Sequence, residues 1–122
     1  MSETQQALRI LVVEDEYLLA MDLQEQLNDE GLDVVGPVGS VKGALDLLDT
    51  EAVDAAVLDI SLNGENIIPV VEVLSKKGIP FVFATGYDAF DLPNAWQNIP
   101  RFEKPVDVSS LVIVLRDKAR PQ

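Results

Sequence analysis

The chain contains no cysteine and no histidine. Without cysteine there is no disulfide framework, thiol nucleophile or iron–sulfur site. Without histidine there is no Ser-His-Asp triad, no imidazole acid–base relay and no His-based metal site. Any metal bound here is expected to be a hard cation held by oxygen. Basic residues are also scarce: 9 Lys plus Arg stand against 21 Asp plus Glu, a net charge of −12. That balance repels polyphosphate, and the adjacent basic pair Lys76-Lys77 does not offset it, so nucleic acid is not an expected partner. No apolar run approaches the roughly 18–20 residues that span a bilayer. The start, Met1 to Gln6, is polar and has neither the basic opening nor the apolar stretch of a signal peptide. The expectation is a cytoplasmic protein with no membrane partner.

What remains is an ordinary globular composition, 48% hydrophobic and 25% charged over 122 residues. That length fits a single domain over 1–122, with no repeat, no linker and no room for an effector domain. Five short apolar runs alternate with helical patterns. Leu8–Val13 reads as a first strand, followed by a helix over Glu16–Glu30 with Leu19, Leu23 and Leu27 on one face and Gly31 as its stop. Leu32–Val38 is a second strand, and Ser40 can cap a helix carrying Val41, Ala44, Leu45 and Leu48.

Val53–Leu58 is a third strand, nearly all apolar, as a strand covered on both faces should be. Asn66 can cap a helix bearing Ile67, Val70, Val71 and Leu74, with Pro69 in its first turn. Ile79–Ala84 is the fourth strand and Arg101–Glu103 a short fifth. Asp107 caps a last helix bearing Val108, Leu111, Val112 and Leu115. This alternation predicts a parallel sheet with helices on both faces. One helix is weak or missing: between the fourth and fifth strands, Gly86–Pro100 carries Asp88, Pro93, Asn94, Asn98 and Pro100, which favour turns.

Open parallel sheets bind ligands at the carboxyl ends of their strands. There the first strand delivers Glu14-Asp15, the third Asp59, the fourth Thr85 and the fifth Lys104-Pro105. Singly each has an ordinary reading: acidic residues at a helix start, a turn Asp, a Thr-Gly turn, a solvated Lys. Together, in order and at the right strand ends, they form a pattern. Carboxylates gathered in one pocket repel; two charges ~4 Å apart cost about 4 kcal/mol at an effective dielectric of ~20. A divalent cation or raised pKa values relieve this, and Mg²⁺ suits such oxygen ligands beside a phosphate. Thr85 and Lys104 are placed to hold an anion next to it.

On these residues the chain resembles a response-regulator receiver domain, the phosphoryl-accepting half of two-component signalling. The match runs from Ile10-Leu11-Val12-Val13-Glu14-Asp15-Glu16 through Ala56-Val57-Leu58-Asp59-Ile60-Ser61-Leu62 to Phe83-Ala84-Thr85-Gly86 and Glu103-Lys104-Pro105. The segment Pro80-Phe81-Val82-Phe83-Ala84-Thr85-Gly86-Tyr87 further resembles the FATGUY subclass of single-domain receivers, associated with HWE-type sensor kinases. The resemblance implies a flavodoxin-like (CheY-like) doubly wound α/β fold with five parallel strands in the order 2-1-3-4-5. The first and third strands are then neighbours, and their three carboxylates converge.

It also implies roles. Asp59 would accept the phosphoryl group from a phosphohistidine of a sensor histidine kinase. Asp15, Asp59 and the Ser61 backbone carbonyl would bind Mg²⁺, with Glu14 acting through water. Lys104 would pair with a phosphoryl oxygen, Thr85 would hydrogen-bond the phosphoryl group, and Gly86 would leave room for entry. Lys104-Pro105 would be cis. Further partners would be a phosphotransfer protein or an output protein.

One position departs from the family pattern, and two more bear on the lifetime of the phosphoryl group. Three residues before the Lys many receivers carry a switch aromatic, and here that position is Arg101. Phe102 is one residue off, which strand alternation points to the opposite face. The reporting is therefore expected from Tyr87 or from the stretch around Phe90 and Trp96. In that family self-dephosphorylation is tuned two residues after the Asp and two after the Thr; Ser61 and Tyr87 stand there, neither an acid nor an amide, and a persistent phosphoryl group is expected. Two alternatives remain: a small Asp-dependent phosphohydrolase, and a receiver-like adaptor that is never phosphorylated. A nucleotide or flavin binder is disfavoured, because Glu14-Asp15-Glu16 stands where a phosphate loop would be.

Overall fold

The computed structural model describes residues 7–62, 64–86 and 94–119. In chain order they form β1 (Arg9–Val13), α1 (Tyr17–Asp29), β2 (Asp33–Val38), α2 (Val41–Thr50), β3 (Ala55–Asp59), α3 (Ile68–Lys77), β4 (Phe81–Thr85), a 3₁₀ turn (Asn94–Trp96), β5 (Arg101–Glu103) and α4 (Val108–Ala119). The five strands are parallel and lie in the order β2-β1-β3-β4-β5, the doubly wound arrangement expected. Among the described residues between β4 and β5 the 3₁₀ turn stands where a helix was due.

Strand alternation divides the core in two. Leu11, Val13, Leu58 and Phe83 face one side, with Ala44 and Leu48 of α2 and Val70 and Leu74 of α3. Ile10, Val12, Val57, Val82 and Ala84 face the other, with Leu23 and Leu27 of α1 and Leu111 and Leu115 of α4. β3 is buried along its whole length, as its apolar run requires.

The helix ends follow local chemistry. Ser40 Oγ accepts the Gly43 N–H at 3.0 Å and caps α2. Gly31 stops α1 at φ +87°, a conformation that L side chains rarely adopt. α3 begins later than the sequence indicates: Ile67 is its N-cap, and Asn66 Oδ1 accepts the Ile68 N–H at 3.0 Å. An Asx turn has formed before the helix. Asp107 precedes α4; its carbonyl accepts the Leu111 N–H at 3.0 Å, while its carboxylate takes the Ser110 hydroxyl at 2.8 Å.

One irregularity had no counterpart in the sequence reading. β1 pairs Leu11 with Val35 but Val13 with Val38, so β2 spends one extra residue there. Pro37, which cannot donate to the ladder, lies in that stretch, and the Gly36-Pro37 peptide is cis. Gly36 sits at φ +97°, where an added Cβ would stand 2.9 Å from the Val38 nitrogen, so a side chain is excluded.

Candidate functional site

Two of the predicted site residues prove to be the last residues of their strands, Asp59 of β3 and Thr85 of β4. The ladder therefore fixes their backbones, pairing Asp59 with Ala84 and Thr85 with Glu103. Glu14 follows β1 directly, and its N–H donates to the Val38 carbonyl at 2.9 Å, so the chain leaves the sheet still tied to β2. Lys104 follows β5, and its N–H donates to the Thr85 carbonyl at 2.9 Å. Because β1 and β3 are adjacent, Glu14, Asp15 and Asp59 converge: each offers a carboxylate oxygen within 4.8 Å of the others.

This group is taken out of water. Glu14 is 7% exposed, Asp59 2% and Thr85 6%. Lys104 Nζ is the cation that compensates, 2.8 Å from Glu14 Oε1, 3.1 Å from Asp59 Oδ2 and 3.6 Å from Glu16 Oε1. Both oxygens of Asp59 are engaged, since Oδ1 accepts the Ser61 N–H at 2.9 Å. Both oxygens of Glu14 are engaged too, since Oε2 accepts the Glu16 N–H at 3.0 Å. Asp15, half-buried, is the open member of the set.

The electrostatics record the imbalance. Burial raises the Asp15 carboxyl above its usual range, and the adjacent Asp59 carboxylate raises it further; the Asp15 backbone and Lys104 pull the other way. Burial alone would lower Lys104. Its hydrogen bonds to Glu14 and Asp59 and their charges outweigh that, and its ammonium is held above its ordinary value. Three carboxylates and a single buried ammonium thus leave a negative pocket lined with hard oxygen donors. That donor set fits a small divalent cation of the Mg²⁺ kind, with no nitrogen or sulfur ligand to favour a softer metal.

Thr85 ends β4, its carbonyl accepting the Lys104 N–H, and its hydroxyl is bonded to no partner among the described residues. At Gly86 no atom of the described residues lies within 4 Å of where a Cβ would stand. The Lys104-Pro105 peptide is cis, as expected. Tyr87 and Phe90, named as switch residues, lie outside the described residues. Trp96 is placed: its ring lies 5.2 Å from that of Phe83, tilted by 38°, and both belong to the α2–α3 side of the core. Phe102 packs on the opposite side, against the α1–α4 cluster, as strand alternation requires.

The sequence reading missed two contributors. Glu16, read only as a helix start, is within reach of Lys104. Gly39 lies in near contact with the Asp15 backbone, and nothing in the sequence near Asp15 points to it. A groove lined by Leu19, Leu23, Pro105 and Val106 also has Glu14 and Lys104 in its wall. Beside it Tyr17 and Leu18, at the start of α1, are 73% and 80% exposed.

Comparison with known proteins gives a consistent picture. The response regulator receiver domain family model matches residues 10–113. Over 108 residues the chain is 31% identical to the transcriptional regulatory protein PdtaR of Mycobacterium tuberculosis, covering 85% of this chain and 53% of that protein. The chain therefore spans about half the length of that relative. The solution structure of SdrG from Sphingomonas melonis is similar with a TM-score of 0.81 and 37% identity, covering 96% of this chain and 100% of that one. The BeF3-activated conformation of SdrG has a TM-score of 0.77 at 36% identity, covering 95% of this chain and 100% of that one.

Proposed function

Since the chain belongs to the response regulator receiver domain family, we propose that it takes a phosphoryl group onto Asp59 from a phosphohistidine of a sensor histidine kinase, in a Mg²⁺-dependent reaction. Receiver domains are signalling proteins that partner with histidine kinases and bind Mg²⁺ at an acidic site. The finer assignment to this chain rests on one observation: Asp59, 2% exposed, sits with Glu14, Asp15 and the Lys104 ammonium at one point, and the adjacent strand ends in Thr85, whose hydroxyl has no partner among the described residues.

In this reading an Asp59 carboxylate oxygen attacks the phosphorus. The new O–P bond forms as the P–N bond breaks, and the bonding pair leaves with the imidazole of the donor. Asp15, Asp59 and the Ser61 carbonyl would hold the Mg²⁺, with Glu14 acting through water, and the cation would supply charge neutralisation for the phosphoryl group. Phosphoryl transfer asks little covalent chemistry of a protein, and positioning with charge neutralisation supplies most of the catalysis. Lys104, already 3.1 Å from Asp59 Oδ2, would turn to a phosphoryl oxygen, and Thr85 would donate its hydroxyl to another. The absence of histidine from the chain requires the donor to bring its own.

Output is proposed to be altered protein–protein binding or onward transfer to a phosphotransfer protein. The exposed apolar pair Tyr17 and Leu18 at the start of α1 supports a protein partner. The kinase is proposed to be of HWE type, on the Pro80–Tyr87 resemblance. No helix among the described residues is long and apolar enough to cross a membrane, and the cytoplasm is the proposed location.

The test is incubation with acetyl phosphate and Mg²⁺, followed by intact mass. We expect an adduct of about 80 Da, absent in Asp59→Asn and in the presence of EDTA. Release of phosphate with catalytic turnover and no adduct would make the protein a phosphohydrolase. No adduct and no turnover would make it an unphosphorylated adaptor. Either outcome overturns the proposal.

A further inference from the structure

The short link from β2 into α2, residues 38–41, touches both loops that build the acidic pocket. The Val38 carbonyl accepts the Glu14 N–H at 2.9 Å. A Cβ added at Gly39 would stand 3.4 Å from the Asp15 Cα and 3.6 Å from the Glu14 carbonyl oxygen, so the link and the β1–α1 loop run backbone against backbone. The Val41 N–H donates to Glu65 Oε1 at 2.8 Å, a contact that spans 24 residues of sequence.

Two acceptors thus divide the start of α2. Ser40 Oγ takes the Gly43 N–H, and Glu65 takes that of Val41, the first residue of the helix. A carboxylate is favoured at that position by the partial positive charge of a helix start.

The loop after Asp59 shows why this contact matters. It is anchored by two buried side chains, Leu62 at 0% exposure and Ile67 at 3%. Between them Gly64, Glu65 and Asn66 are exposed. Glu65 N–H bonds locally to the Leu62 carbonyl at 2.7 Å. Among the described residues, its carboxylate supplies the one hydrogen bond from this exposed stretch to a distant element. Ser61, whose N–H fixes Asp59 Oδ1, belongs to the same loop.

We propose that the first turn of α2 is a brace that sets the spacing between the Asp15 loop and the Asp59–Ser61 loop, and that Glu65 is its positioning residue for cation binding. Glu65 touches no reacting atom. It acts by holding one wall of the pocket to a helix start that also abuts the other wall. This rests on the phosphoacceptor reading, because it assigns Glu65 to the Mg²⁺ site of that reading.

The experiment is a Mg²⁺ titration of the full chain by amide NMR, with hydrogen exchange at Val41, for wild type, Glu65→Ala and Glu65→Gln. Gln keeps an oxygen acceptor for the Val41 N–H; Ala does not. We expect Glu65→Ala to weaken Mg²⁺ binding about fivefold and to speed exchange at Val41, as loss of the hydrogen bond that ties the loop to α2 implies. Glu65→Gln is expected within about twofold of wild type in both readouts. A purely structural role would lower the melting temperature without moving the Mg²⁺ affinity, and that result overturns the brace. So does equal weakening by Ala and Gln, which would put the effect on charge alone. If wild type binds no Mg²⁺ and forms no acetyl-phosphate adduct, the phosphoacceptor reading falls and the brace with it. If wild type does both and Glu65→Ala matches it, only the brace falls.

Discussion

At the amino-terminal edge of the sheet Arg9 holds Glu51 at 2.6 Å and the Ala52 carbonyl at 2.8 Å, while its backbone N–H donates to Asp54 at 2.8 Å. At the carboxyl-terminal edge Lys104 holds Glu14 at 2.8 Å and Asp59 at 3.1 Å. In each cluster a basic residue meets carboxylates, Arg9 through its guanidinium and its backbone N–H and Lys104 through its ammonium, but the settings differ. The Arg9 and Glu51 side chains are 37% and 42% exposed. Those of Lys104, Glu14 and Asp59 are 14%, 6% and 2% exposed, and Asp15 adds a carboxylate that no second cation among the described residues balances. The first cluster is a tie that water largely screens. The second is a desolvated imbalance that a divalent cation relieves.

The contrast is open to direct attack. Lys104→Met leaves Glu14 and Asp59 buried against each other, and breaking a buried ion pair is costly. It should lower the unfolding free energy in EDTA by about 3 kcal/mol by urea denaturation, with part of the loss recovered on adding Mg²⁺. A loss below about 1 kcal/mol, the scale of an exposed pair, would erase the distinction between the two edges.

Asp15→Asn acts in the opposite direction. The Asp15 carboxyl is raised above its ordinary 3.8 in the folded state. Its ionisation therefore costs the folded state stability, a penalty absent below the unfolded value and fully present once pH has passed the folded one. The metal-free variant should melt a few degrees (~3 °C) above wild type at neutral pH, with the gap closing as pH falls towards the ordinary Asp range. Mg²⁺ should no longer shift its melting temperature. A variant that melts below wild type at pH 7 would show that Asp15 stabilises the apo pocket, contrary to this account.

Arg9→Met carries the smallest effect. Exposed pairs contribute little, and the change should cost no more than about 1 kcal/mol. It should respond to added salt and be indifferent to Mg²⁺. An Mg²⁺-dependent change in this variant would link the two edges of the sheet, which the comparison denies.

Much of the carboxyl edge was legible from residue order. Glu14-Asp15, Asp59, Thr85 and Lys104 follow apolar runs, and a parallel sheet necessarily collects such residues at one end. Alternation along β5 likewise placed Phe102 on the face away from Phe83 and Trp96. Other features left no local trace. Asn66 met the usual description of a cap, yet the helix started later because its side chain closed an Asx turn first. The extra residue in β2 arises from pairing with β1, which a single strand cannot announce. Glu65 sits in a polar loop like many others, and its partner Val41 is 24 residues away.

The sequence by itself determined the strand and helix alternation, the two-sided core and the set of oxygen-bearing residues at one sheet edge. Periodicity and strand-end position are local properties, read along the chain. Only the tertiary structure decided that Lys104 spends its charge on Glu14 as well as Asp59, that Glu16 joins them, and that the start of α2 lies between the two acidic loops. Those facts depend on distances between segments far apart in sequence. They were fixed when the sheet closed and water left the pocket, since only then must each buried charge find a partner.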